Sequence, residues 1–152
     1  MRVDTIGYEG ATPQAFIAAL RDARIELLVD VRAVAMSRRP GFAKTRLAAN
    51  LAGAGIEYLH LRGLGTPADG RAAARSGRHA EMHRIFREHM MTDVAQADLA
   101  TLVSIIEGGR RVCLMCFERE PTHCHRSLVV EALVAHLPIE VSHPFADAEA
   151  AD

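Results

Sequence analysis

The spacing of hydrophobic residues switches repeatedly between the periods of strands and helices. Residues 2–6 and 25–31 are short apolar runs rich in β-branched side chains, which is typical of buried strands. Between them, residues 12–23 carry apolar side chains at helical spacing, and Thr12 with Pro13 forms a helix start signal. A strand, helix and strand in this order favour a right-handed crossover and therefore parallel strands.

The same alternation continues to the end of the chain. It predicts helices around residues 47–52, 79–91 and 93–107 and strands at 56–61, 112–117 and 139–141. It also predicts a last helix with Thr122 as N-cap and with Cys124, His125 and Arg126 in its first turn. Two stretches, residues 32–44 and 62–77, show neither period, and we interpret both as long loops. The pattern predicts an α/β fold, a three-layer sandwich with a mostly parallel sheet of about five strands.

Length and composition leave this picture unchanged and narrow the functional classes. The 152 residues suit one domain, which we place at residues 1–145, with an acidic and disordered tail at 146–152. Without a secretory signal or an 18-residue apolar span, we expect a cytoplasmic protein with no membrane partner. The three cysteines then suggest thiols rather than a disulfide framework.

Ligands of open α/β sheets bind beyond the carboxyl ends of the strands, and many of the polar residues fall there. The predicted ligand-binding residues in these segments are Tyr8, Glu9, Asp30, Arg32, Arg38, Arg39 and Arg126. The arginines suit phosphate, whereas Asp30 and Arg32 either pair with each other or hold a ligand hydroxyl.

The first turn, Gly7-x-x-Gly10, lacks the glycine spacing of a dinucleotide fingerprint. We therefore expect a Rossmann-like fold that uses neither nicotinamide nor flavin, and the cofactor stays unknown.

The stretch 112–128 holds all three cysteines and has the richest chemistry. A zinc site that uses Cys113 and Cys116 together is disfavoured, because residues three apart in a strand point to opposite faces. Cys124 lies where a helix begins, so it is either a nucleophile with a lowered thiol pKa or a packing residue. A metal site through Cys124 with His123 or His125 is a further alternative.

Helical geometry directs His125 inward, under the strand ends. Glu118 ends the preceding strand, so Glu118 and His125 form a candidate acid/base pair. The alternative is that His125 is a structural residue that ties the loop to the strand. Separately, the arginines of residues 62–87 are a candidate nucleic-acid surface.

Seven short motifs in a fixed order resemble a known family. They are TIGYEG (5–10), VDVR (29–32), SRRPGF (37–42), GIEYLHL (55–61), LGTP (64–67), CFE (116–118) and CHR (124–126). Together they resemble the bacterial and archaeal domain-of-unknown-function 488 family. The resemblance implies a small cytoplasmic α/β domain with polar residues around the crevice, and it implies no settled activity.

The sequence predicts a protein that binds an anionic small molecule, phosphorylated or nucleotide-like, at the carboxyl ends of the strands. A hydrolase or transferase would use Glu118 and His125 as catalytic residues, with Cys124 as a further candidate. The alternatives are a non-catalytic nucleotide or nucleic-acid binding module and a metal-binding protein. The oligomeric state is not predicted.

Overall fold

The computed structural model describes residues 1–146 of the chain. Five strands are present: β1 (Arg2–Gly7), β2 (Leu27–Asp30), β3 (Glu57–His60), β4 (Val112–Cys116) and β5 (Glu140–Ser142). The helices are α1 (Pro13–Asp22), α2 (Lys44–Gly53), α3 (Ala68–Arg75), α4 (His79–His89), α5 (Asp93–Glu107) and α6 (Arg126–Val134). Short 3₁₀ turns occupy Arg62–Leu64 and Pro121–His123.

The strands form one sheet in the order β3-β2-β4-β1-β5, and all neighbours are parallel. Helices α1 and α2 pack on one face, and α3 to α6 supply the core of the other. The predicted three-layer, Rossmann-like α/β sandwich is confirmed. No helix among residues 1–146 is long and apolar enough to cross a membrane.

The prediction of a loop across residues 62–77 was wrong, because α3 lies within it. The buried positions of α3 are Gly70 and Ala73, so its inner face has no large apolar residues to produce a hydrophobic period. The small side chains allow close packing instead. A Cβ atom on Gly70 would collide with the side chain of Thr66.

The prediction that Thr122 caps the last helix and that Cys124 lies in its first turn was wrong, because Pro121–His123 forms a separate 3₁₀ turn. Helix α6 starts at Arg126, with His125 as its N-cap residue. Cys124 is extended and precedes the helix. From residue 147 onward, the predicted acidic tail lies outside the described residues. Ala146 itself is buried.

The parallel register brings the strand ends together. Gly7 is paired with Cys116, and Asp30 with Met115, so β1, β2 and β4 end at one edge. Within β4, Cys113 packs on the face covered by α1 and α2, and Cys116 packs on the opposite face. The prediction that these two cysteines point apart is confirmed.

Candidate functional site

A cavity of about 360 Å³ opens at the carboxyl ends of β1, β2 and β4. Four of the predicted site residues line it: Tyr8, Arg32, Glu118 and His125. The other lining residues are Ala33, Val34, Met36, Thr66, Arg71, Ala74, Arg75, Met82, Cys116, Phe117 and His123. The volume suits a small organic ligand.

A second group of predicted residues stands outside the cavity lining. It comprises Glu9, Asp30, Arg38, Arg39, Cys124 and Arg126. Arg38 is exposed, and a guanidinium nitrogen of Arg39 donates to the carbonyl of Ala11. Glu9 accepts the backbone N–H of Arg119 at 3.0 Å. The ligand-binding role of these residues stays a prediction.

The end of β2 carries a buried ion pair. The Arg32 guanidinium donates to both carboxylate oxygens of Asp30, at 2.9 and 2.7 Å. Nη1 of Arg32 also donates to the Phe42 carbonyl at 2.8 Å and to the Tyr8 hydroxyl at 3.3 Å. Tyr58 donates its hydroxyl to Asp30. We call Tyr8, Asp30, Arg32 and Tyr58 the β2-end cluster.

The electrostatics of the β2-end cluster favour a permanent charge on Arg32. Burial acts to lower the pKa of Arg32, but hydrogen bonds and attraction to Asp30 outweigh it, and the pKa rises above its ordinary value. Of the two alternatives for Asp30 and Arg32, the structure shows the ion pair. A ligand could still contact Arg32, which is 6% exposed and lines the cavity.

Arg126 is fully buried and joins the loop after β4 to the sheet. Its guanidinium donates to Thr5 Oγ1 at 3.0 Å, to the Arg119 carbonyl at 3.0 Å, and to the Glu118 carbonyl. It also lies 3.5 Å from the Cys116 sulfur. Burial lowers the pKa of Arg126 to about 10, which leaves it cationic at neutral pH. These contacts hold the loop that presents Glu118.

Gly7 sets the position of the same loop from the other side. A Cβ atom on Gly7 would overlap the backbone carbonyl of Glu118. The absence of a side chain therefore lets the chain after β4 cross directly over the end of β1. The Glu118 side chain reaches the cavity as a result.

Glu118 is mostly enclosed by protein, and burial raises the pKa of its carboxyl above the ordinary value. One carboxylate oxygen lies 3.8 Å from the Cys116 sulfur. Glu118 and His125 line the same cavity, but no direct hydrogen bond joins them within the described chain. A raised carboxyl pKa favours a group that holds a proton for transfer.

His125 is 8% exposed, so the predicted inward orientation is confirmed. Its Nε2 lies 2.7 Å from the Val31 carbonyl, and its Nδ1 lies 3.8 Å from the Cys124 sulfur. Burial lowers the pKa of His125 to about 4, against the opposing effect of the Val31 hydrogen bond. The ring is therefore neutral at physiological pH.

A disulfide joins Cys116 and Cys124, so the prediction that the cysteines are thiols rather than disulfide partners was wrong for this pair. The Cα atoms of the two residues are 7.4 Å apart, whereas those of most disulfides are roughly 4.4–6.8 Å apart. Cys113 is separate and buried on the other face of the sheet. We call Cys116, Glu118, Cys124 and His125 the β4-end cluster.

Arg71 and Arg75, on α3, also line the cavity. The sequence placed them only in the candidate nucleic-acid surface of residues 62–87 and not among the predicted ligand-binding residues. Nη1 of Arg71 donates to the Thr66 carbonyl at 2.9 Å. No hydrogen bond or ion pair engages the side chain of Arg75 within residues 1–146. The four-residue spacing places both arginines on one helical face. A helix prediction for this segment would therefore have grouped Arg71 with Arg75.

A family model, Domain of unknown function DUF488, matches residues 12–133. The chain belongs to this family. The match confirms the resemblance drawn from the seven motifs. It begins after β1 and Tyr8 and reaches the last turn of α6. No curated protein and no solved structure matches the chain significantly.

Proposed function

We propose that this DUF488 protein binds a small anionic ligand, phosphorylated or nucleotide-like, in the cavity at the strand ends. The observation that carries the proposal is the combination of two arginines, Arg71 and Arg75, with a half-buried acid, Glu118, around one cavity. The arginines supply charge for a phosphate, and Glu118 faces the same space.

The cavity walls suit a ligand with an apolar or planar body beside its anionic group. Val34, Met36, Met82 and Phe117 line the space, and these side chains have no charge to neutralise. Sites for small molecules combine such walls with a few polar groups that orient the ligand. A nucleotide or a phosphorylated metabolite has this division between body and charge.

As an enzyme, the protein would be a small-molecule hydrolase or transferase. Glu118 would transfer the proton, because its raised pKa keeps a larger protonated fraction near neutral pH than an exposed glutamate has. Cys116 lines the cavity, and Cys124 is not among the lining residues. His125 has Nε2 engaged by Val31, which leaves Nδ1 for chemistry.

The binding part of the proposal is tested by calorimetric titration with inorganic phosphate and a panel of nucleoside monophosphates. Replacing both Arg71 and Arg75 with alanine should weaken binding at least about 100-fold, since each lost charged contact costs about 1.5–3 kcal/mol. Arg62→Ala is the matched control: it is exposed, lies in the same basic segment and is not part of the cavity lining.

Two outcomes would contradict the proposal. In one, no probe binds the wild-type protein. In the other, an oligonucleotide binds with affinity that falls steeply with salt, and Arg62→Ala weakens it as much as the cavity variants do. The second result would favour a nucleic-acid binding module on the basic surface.

A further inference from the structure

Three potential metal ligands converge at the floor of the cavity. Cys116, Cys124 and His125 each offer one ligand atom, and these atoms lie within 4.8 Å of one another. All three residues are buried. The cluster joins β4 to the start of α6, so it is assembled by the fold from both ends of a loop.

The imidazole of His125 is oriented as in many metal sites. The Val31 carbonyl can only accept a hydrogen bond, so its 2.7 Å contact places the ring proton on Nε2. Nδ1 then carries a lone pair, and it faces the Cys124 sulfur at 3.8 Å. Metal-ligating histidines commonly donate their second ring N–H to a backbone carbonyl in this way.

Once the Cys116–Cys124 disulfide is reduced, the backbone spacing leaves room for an ion between the sulfurs. Two thiolates on one tetrahedral Zn²⁺, with Zn–S bonds of about 2.3 Å, lie roughly 3.8 Å apart. The Cα distance of 7.4 Å between Cys116 and Cys124 exceeds the usual disulfide range and accommodates this wider sulfur separation.

We infer that Cys116, Cys124 and His125 form a binding site for a thiophilic divalent cation such as Zn²⁺. Two sulfurs and one imidazole nitrogen are the soft ligands that select zinc over magnesium or calcium. The disulfide of the structure is first opened by a thiol reductant, which supplies two electrons and two protons and is itself oxidised. On binding, each reduced cysteine then loses its thiol proton to solvent, and the two thiolates neutralise the ion. The Arg126 guanidinium, 3.5 Å from the Cys116 sulfur, stabilises that thiolate further.

The site is open to the cavity on one side. Cys116 and His125 both line the cavity, so an ion held by them is within reach of a bound molecule. Three protein ligands leave a fourth position for water or substrate, which is the arrangement of catalytic zinc. A catalytic role for the bound ion rests on the proposed function. Binding of the ion itself can be measured without any substrate.

The test is a titration of the fully reduced, metal-free protein with Co²⁺, followed by the thiolate-to-cobalt charge-transfer absorption. We expect one Co²⁺ per chain and its displacement by Zn²⁺. Cys116→Ser, Cys124→Ser and His125→Ala should each weaken Co²⁺ binding at least about 100-fold, because each removes a direct ligand, and loss of a mere outer-shell partner already costs 10–100-fold.

Two matched controls should keep the wild-type affinity. Cys113→Ser changes a cysteine of the same strand that packs on the opposite face of the sheet. His123→Ala removes the neighbouring histidine, whose ring stacks on His79 at 4.6 Å. Cooperative unfolding of each variant shows that it is folded, and Cys124→Ala replaces Cys124→Ser if the serine variant is not.

The inference is overturned if reduced wild-type protein with three titratable thiols gives no charge-transfer band. It is equally overturned if Cys113→Ser weakens Co²⁺ binding as much as Cys116→Ser does. A third contradicting result is alkylation of Cys113 alone in protein kept under reducing conditions, because it would indicate that Cys116 and Cys124 stay covalently bonded to each other. Phosphate binding by the metal-free protein reports on Arg71 and Arg75 alone, so the two proposals fail separately.

Discussion

Two buried polar clusters lie at the same edge of the sheet, and they differ in how far the protein satisfies them. In the β2-end cluster, Asp30 accepts from the Arg32 side chain, the Arg32 backbone and Tyr58. Arg32 in turn donates to Asp30, Phe42 and Tyr8. The cluster is therefore a closed hydrogen-bond network that fastens the loop after β2.

The β4-end cluster is less completely satisfied. Apart from the Cys116–Cys124 disulfide, the contacts of its sulfurs, its carboxylate and one imidazole nitrogen are long, at 3.5 to 3.8 Å. Three of its residues line the cavity. Groups of this kind keep lone pairs available for a ligand or an ion. Burial alone therefore does not mark a functional group, because the hydrogen-bond partners decide which lone pairs and N–H groups remain available to a ligand.

Breaking the β2-end cluster should have the largest effect on stability. Arg32→Met removes one partner and leaves the Asp30 carboxylate buried without its counter-ion, at a cost of about 3–5 kcal/mol. Urea denaturation measures the loss. Arg84→Met is the control, because Arg84 makes its ion pairs with Glu81 and Glu88 on the exposed face of α4, and no measurable change is expected. Equal effects of the two variants would contradict a closed network.

A substitution at Gly7 should disturb the β4-end cluster through its backbone. In Gly7→Ala, the new methyl group displaces the Glu118 carbonyl, and overpacking of this kind costs about 1–3 kcal/mol. Gly53→Ala is the matched control, since nothing lies near its added Cβ and its φ is not positive. Chemical denaturation of both variants compares them, and a Gly7→Ala protein as stable as Gly53→Ala would refute the close approach.

The smallest effect on stability is expected for Glu118→Gln. The side chain makes few close contacts and its charge is disfavoured by burial, so the unfolding free energy should change by no more than about 0.5 kcal/mol. Asp30→Asn, at the fully bonded carboxylate, should lose clearly more. If the two variants lose the same stability, the distinction between the clusters fails.

Much of the fold followed from the sequence because it depends on local pattern. Continuous apolar runs marked the central strands, helical spacing marked five of the six helices, and their alternation required a parallel sheet. The same pattern placed Tyr8, Arg32, Glu118 and His125 at the edge where the cavity lies. Helix α3 escaped prediction because its buried face consists of Gly70 and Ala73, which carry no hydrophobic period.

What the sequence determined by itself was the set of elements and the edge of the sheet where chemistry gathers. The tertiary structure decided the partners: β4 lies between β1 and β2, which brings Cys124 and His125 against Cys116 and the carbonyl of Val31. It also buried Arg126 and turned Arg71 into the cavity. Strand order and long-range contacts arise from packing between distant segments, which no local period records.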